Sequence, residues 1–262
     1  MLIIRGLTVA FSGFAFIFLP GIIVSLLTRR GLRFDAKLLL WGMAVLVVTL
    51  FPAYFITILL RLMIFGESMP QSAIQYAFVF LASLITALFL EGGKYLLLRM
   101  LKVSIPELPV SGIWVGLGVG LLTNVFQGIS LVGAGFRLVL GDTSMPDLAK
   151  IAAQVWGDLL VNLVFLNIYR IVLVAVGAML GWFVAQTLVN GQKRWFWLAV
   201  CINTVTAWSY SAIGLALQKQ TLTANIVNSI YQAILAALAL YWLIRQISRV
   251  AQPPVAQDVG DK

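Results

Sequence analysis

Apolar runs of membrane-spanning length, separated by short polar or cationic stretches, recur seven times along this chain. They fall at about 7–27, 38–63, 73–101, 110–137, 159–189, 196–216 and 226–246. A helix needs about 20 predominantly apolar residues to cross a hydrocarbon core, and each run supplies them. The third and fifth exceed that thickness, so they are expected to tilt or project. The pattern predicts an all-α integral membrane protein of about seven transmembrane helices. Residues 1–251 read as one polytopic domain and 252–262 as a polar C-terminal tail. The first run lacks a small-x-small cleavage site, and its basic cluster follows it, so it reads as a retained span.

Between the fourth and fifth runs lie the turn signals Gly141-Asp142-Thr143 and Met145-Pro146-Asp147. Leu148, Ile151, Ala152, Val155 and Trp156 then recur at helical spacing. This predicts a short amphipathic helix on the outer surface, with Asp147 as its cap. Cations set the orientation. Arg29, Arg30, Arg33, Lys37, Lys94, Arg99, Lys102, Lys193, Arg194, Arg245 and Arg249 gather on one side. Arg5, Arg61, Arg137, Lys150, Arg170 and Lys219 fall on the other. The excess places the N-terminus outside and the C-terminus in the cytoplasm, with Trp195 and Trp197 in an interfacial belt. A multi-pass protein of the cell membrane is expected.

Composition agrees with the pattern: 61% of residues are hydrophobic, 10% are charged, and mean hydropathy is +1.01. The net charge of +9 belongs to loops beside spans and does not indicate nucleic acid. No phosphate-cradling glycine loop and no basic stripe interleaved with aromatics is present. The chain has no histidine and one cysteine. That removes the usual near-neutral base and any intrachain disulfide. Too few soft ligands remain for a Cys/His zinc site, so neither metal nor cofactor is expected. Cys201 reads as a small buried residue.

Glycines four apart lie on one helical face and admit a neighbouring backbone. Gly112, Gly116 and Gly120, with Gly118 between, open the fourth span; Gly177 and Gly181 repeat the device in the fifth. The first face is expected to pack on the third or fifth span. Intramembrane amides and hydroxyls follow: Thr123, Asn124, Gln127 and Ser130; Asn162 and Asn167; Asn203, Thr204 and Thr206; Asn225, Asn228, Ser229 and Gln232. They read as interhelical glue, with a wet cavity or ligand path as the alternative.

Glu91 is the only acid inside an apolar run, and such a residue is a functional candidate by default. Lys94, three residues on, can neutralise it. A structural Glu91 is expected to pair with Lys94 or with polar groups of the fourth or sixth span. Arg170 is expected near the outer end of its span, snorkelling outward. Asp142, Asp147 and Asp158 lie in or beside an outer loop and make no intramembrane aspartate pair. No serine dyad stands out.

The segment Ala87-Leu88-Phe89-Leu90-Glu91-Gly92-Gly93-Lys94-Tyr95-Leu96 resembles the Glu-Glu-x-Gly-Arg-Tyr segment of YhfC-type glutamic intramembrane proteases. These are related to PrsW-type and CPBP-type proteases and to the anterior-pharynx-defective scaffold subunit of gamma-secretase. Gly116-Leu117-Gly118-Val119-Gly120-Leu121-Leu122-Thr123 is similar to that family's Gly-Leu-Gly-His-Gly-x-x-Glu, and Tyr169-Arg170 falls where it shows Glu-Arg. The resemblance covers about residues 70–205. It implies a seven-span fold with the N-terminus outside, and chemistry that needs an acid pair and histidines. Here the family positions hold Leu90, Glu91, Gly93, Lys94, Val119, Thr123 and Arg170, and the fifth-span histidine position falls near Gly177. One glutamate of the pair and every histidine are missing. The resemblance therefore implies a degenerate, non-catalytic member. Its expected partners are the lipid bilayer and other integral membrane proteins, with no nucleic acid and no metal. A protease using Glu91 alone, with Asn124 or Gln127 orienting water, and a lipid, pigment or small-molecule binder or transporter are the alternatives. No hydropathy repeat suggests an inverted transporter.

Overall fold

The computed structural model describes residues 1–29, 32–66, 73–101, 103–216 and 221–250. Secondary structure among them is entirely helical: α1 (Leu2–Arg29), α2 (Ala36–Phe65), α3 (Ala73–Met100), α4 (Leu108–Val139), α5 (Pro146–Ala153), α6 (Trp156–Asn190), α7 (Lys193–Ala216) and α8 (Thr221–Val250). Six helices among the described residues are long and apolar enough to cross a membrane. These are α1, α2, α3, α4, α6 and α7. The expected seventh run lies in α8, whose described apolar stretch, Ala233–Gln246, is shorter. The chain is thus an all-α protein with the build of a multi-pass membrane protein. The polar tail lies outside the described residues.

The ends of these helices follow from local chemistry. Asp35 caps α2, accepting a hydrogen bond from the Leu38 amide at 3.1 Å. Gly191 ends α6 in the left-handed conformation, φ 65°, which a residue with a Cβ adopts at a cost. The short helix predicted between the fourth and fifth runs exists as α5, but two details differ. Pro146 occupies its first turn, so Asp147 is inside the helix, and Met145 stands at the cap with no side-chain bond to the helix's own amides. Trp156 begins α6 instead of extending α5, and residues 154–155 make an extended break. A helix that stops leaves carbonyls without amide partners. Arg5 supplies donors: its Nη1 lies 3.1, 2.7 and 2.5 Å from the carbonyl oxygens of Ile151, Ala152 and Gln154. The same guanidinium sits 5.9 Å over the Trp156 ring.

α4 forms the centre of the bundle and packs on α1, α2 and α6, while α3 closes against α2 and α7, and α8 against α6. Glycine explains how α4 holds three neighbours. On its α6 face, a Cβ at Gly116 would run into the Gly177 carbonyl, and one at Gly112 into the Gly181 carbonyl. Gly120 approaches Val174. The expected packing partner is therefore the fifth span. Gly118 faces the other way, onto Leu39 and Gly42 of α2. A third seam went unread in the sequence: Gly6 and Gly13 of α1 meet Gly135 and Gly128 of α4. Both pairs are seven residues apart, the repeat of a left-handed helix crossing.

Trp114, fully buried in α4, donates its indole N–H to the Arg33 carbonyl at 3.0 Å and meets Phe34 edge-on at 5.4 Å. Trp195 is half-buried and stacks on Phe183 at 5.6 Å, while Trp197 is exposed. Cys201 is exposed on α7, contrary to expectation, because the buried face of that helix runs through Val200 and Thr204.

Candidate functional site

α3 and α7 meet around Glu91. Ala87, Glu91, Lys94 and Leu98 recur at steps of four, three and four, so they share the buried face of α3. Glu91 and Lys94 are both 0% exposed, which no isolated charge tolerates. Lys94 Nζ donates to Glu91 Oε1 at 2.7 Å, and Asn203 Nδ2 of α7 donates to the same oxygen at 2.8 Å. The expected pairing with Lys94 and with the sixth span is thus present in one cluster. Both donors converge on Oε1; Oε2 is buried and accepts no hydrogen bond from the described residues. The ensemble is electrically neutral, with one acceptor site of the carboxylate unfilled. One turn of α3 presents the acid and its counter-charge together, and Asn203 ties the pair to a second helix.

The other positions marked in the sequence lie elsewhere. Leu90 packs against a small apolar cluster of Val45, Leu46 and Val119, so α2, α3 and α4 meet there in hydrocarbon. Thr123 donates its hydroxyl to the Val119 carbonyl of its own helix at 3.1 Å, and Gln127 is half-buried one turn on. Asn124 is fully buried and donates to the Arg170 carbonyl of α6 at 3.3 Å, as interhelical glue does. Arg170 corrects the expectation of snorkelling: it is 4% exposed and sits 14 residues into a 35-residue helix, about 21 Å from its start. Asn167 bridges to Ser12 of α1 at 2.9 Å. Gly93 approaches Thr49 of α2. The side chains of Tyr169, Asn225, Asn228, Ser229 and Gln232 lie outside the described residues.

Among the described residues no group of three or more metal-ligating side chains comes together. Outside the spans, Asp142 accepts from the Ser144 hydroxyl at 2.6 Å and amide at 3.0 Å. These bonds, the hydroxyl's foremost, hold its carboxyl below the ordinary value. The fold and this buried polar cluster define a polytopic α-helical membrane protein. Protein-family models, curated proteins and solved structures were compared with the chain, and none matches it.

Proposed function

We propose that this chain is a non-catalytic relative of the YhfC-type glutamic intramembrane proteases, acting as a structural, partner-binding subunit of a membrane complex. In this reading α8 is the seventh span, the N-terminus is outside and the C-terminus is cytoplasmic. The observation that carries it is the fate of the family positions. Leu90 and Val119 stand where the resemblance calls for a glutamate and a histidine, and both join one apolar cluster with Val45 and Leu46. Glu91, the surviving acid, turns to Lys94 and Asn203 instead. A water-activating centre needs an acid or base that reaches the reacting water. Gentle solubilisation of the native membrane, followed by mass spectrometry of the intact complex, tests the proposal. A second membrane protein at fixed stoichiometry is expected. A monomer that cleaves single-span substrates would overturn it.

A Glu91-dependent hydrolase is the second reading, favoured by one atom: Oε2 is left to accept a hydrogen bond from water or substrate. Glu91→Gln separates the two, since an enzyme loses its turnover and a scaffold has none to lose. The topology is tested with single cysteines at Lys150 and Lys193 in a Cys201→Ser background. Labelling of Lys193→Cys from outside would reverse the orientation.

A further inference from the structure

A groove of about 740 Å³ runs between α2 and α3, on the opposite side of α3 from the Glu91–Lys94 pair. That size lies within the range of small-molecule sites, about 300–1,000 Å³. Its walls are almost wholly apolar. From α2 come Trp41, Val48 and Pro52; from α3 come Leu88, Leu96 and Met100. Gly92 forms part of the floor, and a Cβ there would meet nothing within 4 Å. This glycine differs from Gly112, Gly116 and Gly120 of α4, because no neighbouring helix among the described residues requires it. Glycine inside a helix costs roughly 0.5–1 kcal/mol relative to alanine. Here it leaves a slot open to the outside of the bundle.

Two further features identify what fills the slot. The first is length. On α2 the groove extends from Trp41 to Pro52, and on α3 from Leu88 to Leu101. At 1.5 Å per residue these stretches are about 17 and 20 Å long. The hydrocarbon core is about 30 Å thick, so the groove is about one leaflet deep. The second is charge. Lys37 lies one turn before Trp41 and continues the α2 stripe, while Arg99 follows Gly92 and Leu96 at seven and three residues on the α3 side. Both are exposed and lie at the same end of the antiparallel pair. Neither makes an ion pair among the described residues. Trp41 at that level suits the interface between headgroups and tails.

We propose that this groove binds one anionic phospholipid. An acyl chain lies between α2 and α3 over Gly92, and the phosphate is held by Lys37 and Arg99. The inference is independent of the scaffold proposal above. A helix of a second copy would also fill an apolar slot, but it would not require two cations at one mouth, nor a slot one leaflet long.

The test is native mass spectrometry of the purified full chain, delipidated and titrated with dioleoyl phosphatidylglycerol or dioleoyl phosphatidylcholine. The wild type is expected to retain one phosphatidylglycerol in preference to phosphatidylcholine, with a preference that weakens as salt rises. Each cation removed, in Lys37→Gln or Arg99→Gln, is expected to weaken phosphatidylglycerol retention about fivefold while leaving phosphatidylcholine unchanged. Gly92→Phe is expected to weaken both lipids; Val48→Trp blocks the slot from the opposite wall should that variant accumulate poorly. Equal retention of the two lipids by the wild type would overturn the proposal. So would a dimer abolished by Gly92→Phe while lipid retention stays unchanged.

Discussion

The α4–α6 seam and the α3–α7 seam join helices by opposite means. Along the first, Gly112, Gly116 and Gly120 bring backbone against backbone, and the Asn124 amide bonds to the Arg170 carbonyl only beyond the last of them. Along the second, a charged pair and an amide meet between helices that carry ordinary side chains. Lipid tails are as apolar as leucine, so apolar burial alone gives helices little reason to associate in a bilayer. One seam gains contact area by removing atoms; the other gains polar bonds that lipid cannot offer. They should therefore fail differently. The glycine seam is intolerant of any added atom, whereas the polar seam is intolerant of imbalance.

The largest effect is expected from Gly116→Leu, because the new Cβ alone would overlap the Gly177 carbonyl. Overpacking costs about 1–3 kcal/mol where side chains can shift; here the obstacle is backbone, which has no rotamer with which to yield, so the loss should exceed the roughly 3–5 kcal/mol of a broken buried ion pair. Low accumulation and a lowered Tm in detergent are the readout; normal values would show that α4 and α6 can separate without loss. Next comes Glu91→Leu, which strands a buried Lys94. Breaking a buried pair from one side costs about 3–5 kcal/mol, while replacing both members can be neutral. Glu91→Leu with Lys94→Leu should thus recover most of the stability lost in the single variant. A double variant no better than the single would remove the ion pair from the seam.

Asn203→Leu should weaken the same seam by about 0.6–2 kcal/mol, the range for one interhelical polar bond. A thermal shift equal to that of Glu91→Leu would place the amide on a par with the counter-charge. Gly133→Ala sharpens the contrast with Gly116, since a Cβ at Gly133 meets nothing within 4 Å. It should stabilise by about 0.5–1 kcal/mol through helix propensity, seen as a slightly raised Tm. The smallest effect belongs to Asp142, outside both seams. Its folded pKa is lowered by Ser144, so its contribution is present above the unfolded carboxylate value of about 3.9 and fades as pH falls through the folded value. Ser144→Ala deletes the hydroxyl bond, keeps the amide bond and should raise the Asp142 titration midpoint, followed by NMR; an unmoved midpoint would remove the Ser144 hydroxyl as its main cause.

Much of this arrangement was legible in the chain because it depends on local order. Apolar length gives the helices, and four-residue glycine spacing gives a flat face on α4. The three-residue step from Glu91 to Lys94 gives the pair. What the sequence hid depends on which faces meet. Cys201 is apolar enough for a core, yet its neighbours Val200 and Thr204 take the inward face of α7. Arg170 resembles a snorkelling cation by composition, but its helix runs beside α4 and buries it. The break between α5 and α6 has no proline or glycine at 154–155, and its carbonyls are met by an arginine from the far end of the chain. Gly6, Gly13, Gly128 and Gly135 carried a readable seven-residue spacing, but two such faces become a seam only when the fold brings them together.

That last seam bears on biosynthesis. Gly6 is separated from Gly135 by 129 residues, and Arg5 from the Gln154 carbonyl by 149. Chains emerge at roughly 5–20 residues per second, so α1 waits roughly 6–26 s for the face that will cover its glycines. It precedes the other described helices and finds its main partner only when α4 arrives. Through that interval its small-residue face is open to whatever else shares the bilayer, and the order of synthesis sets how long the growing chain stays unprotected.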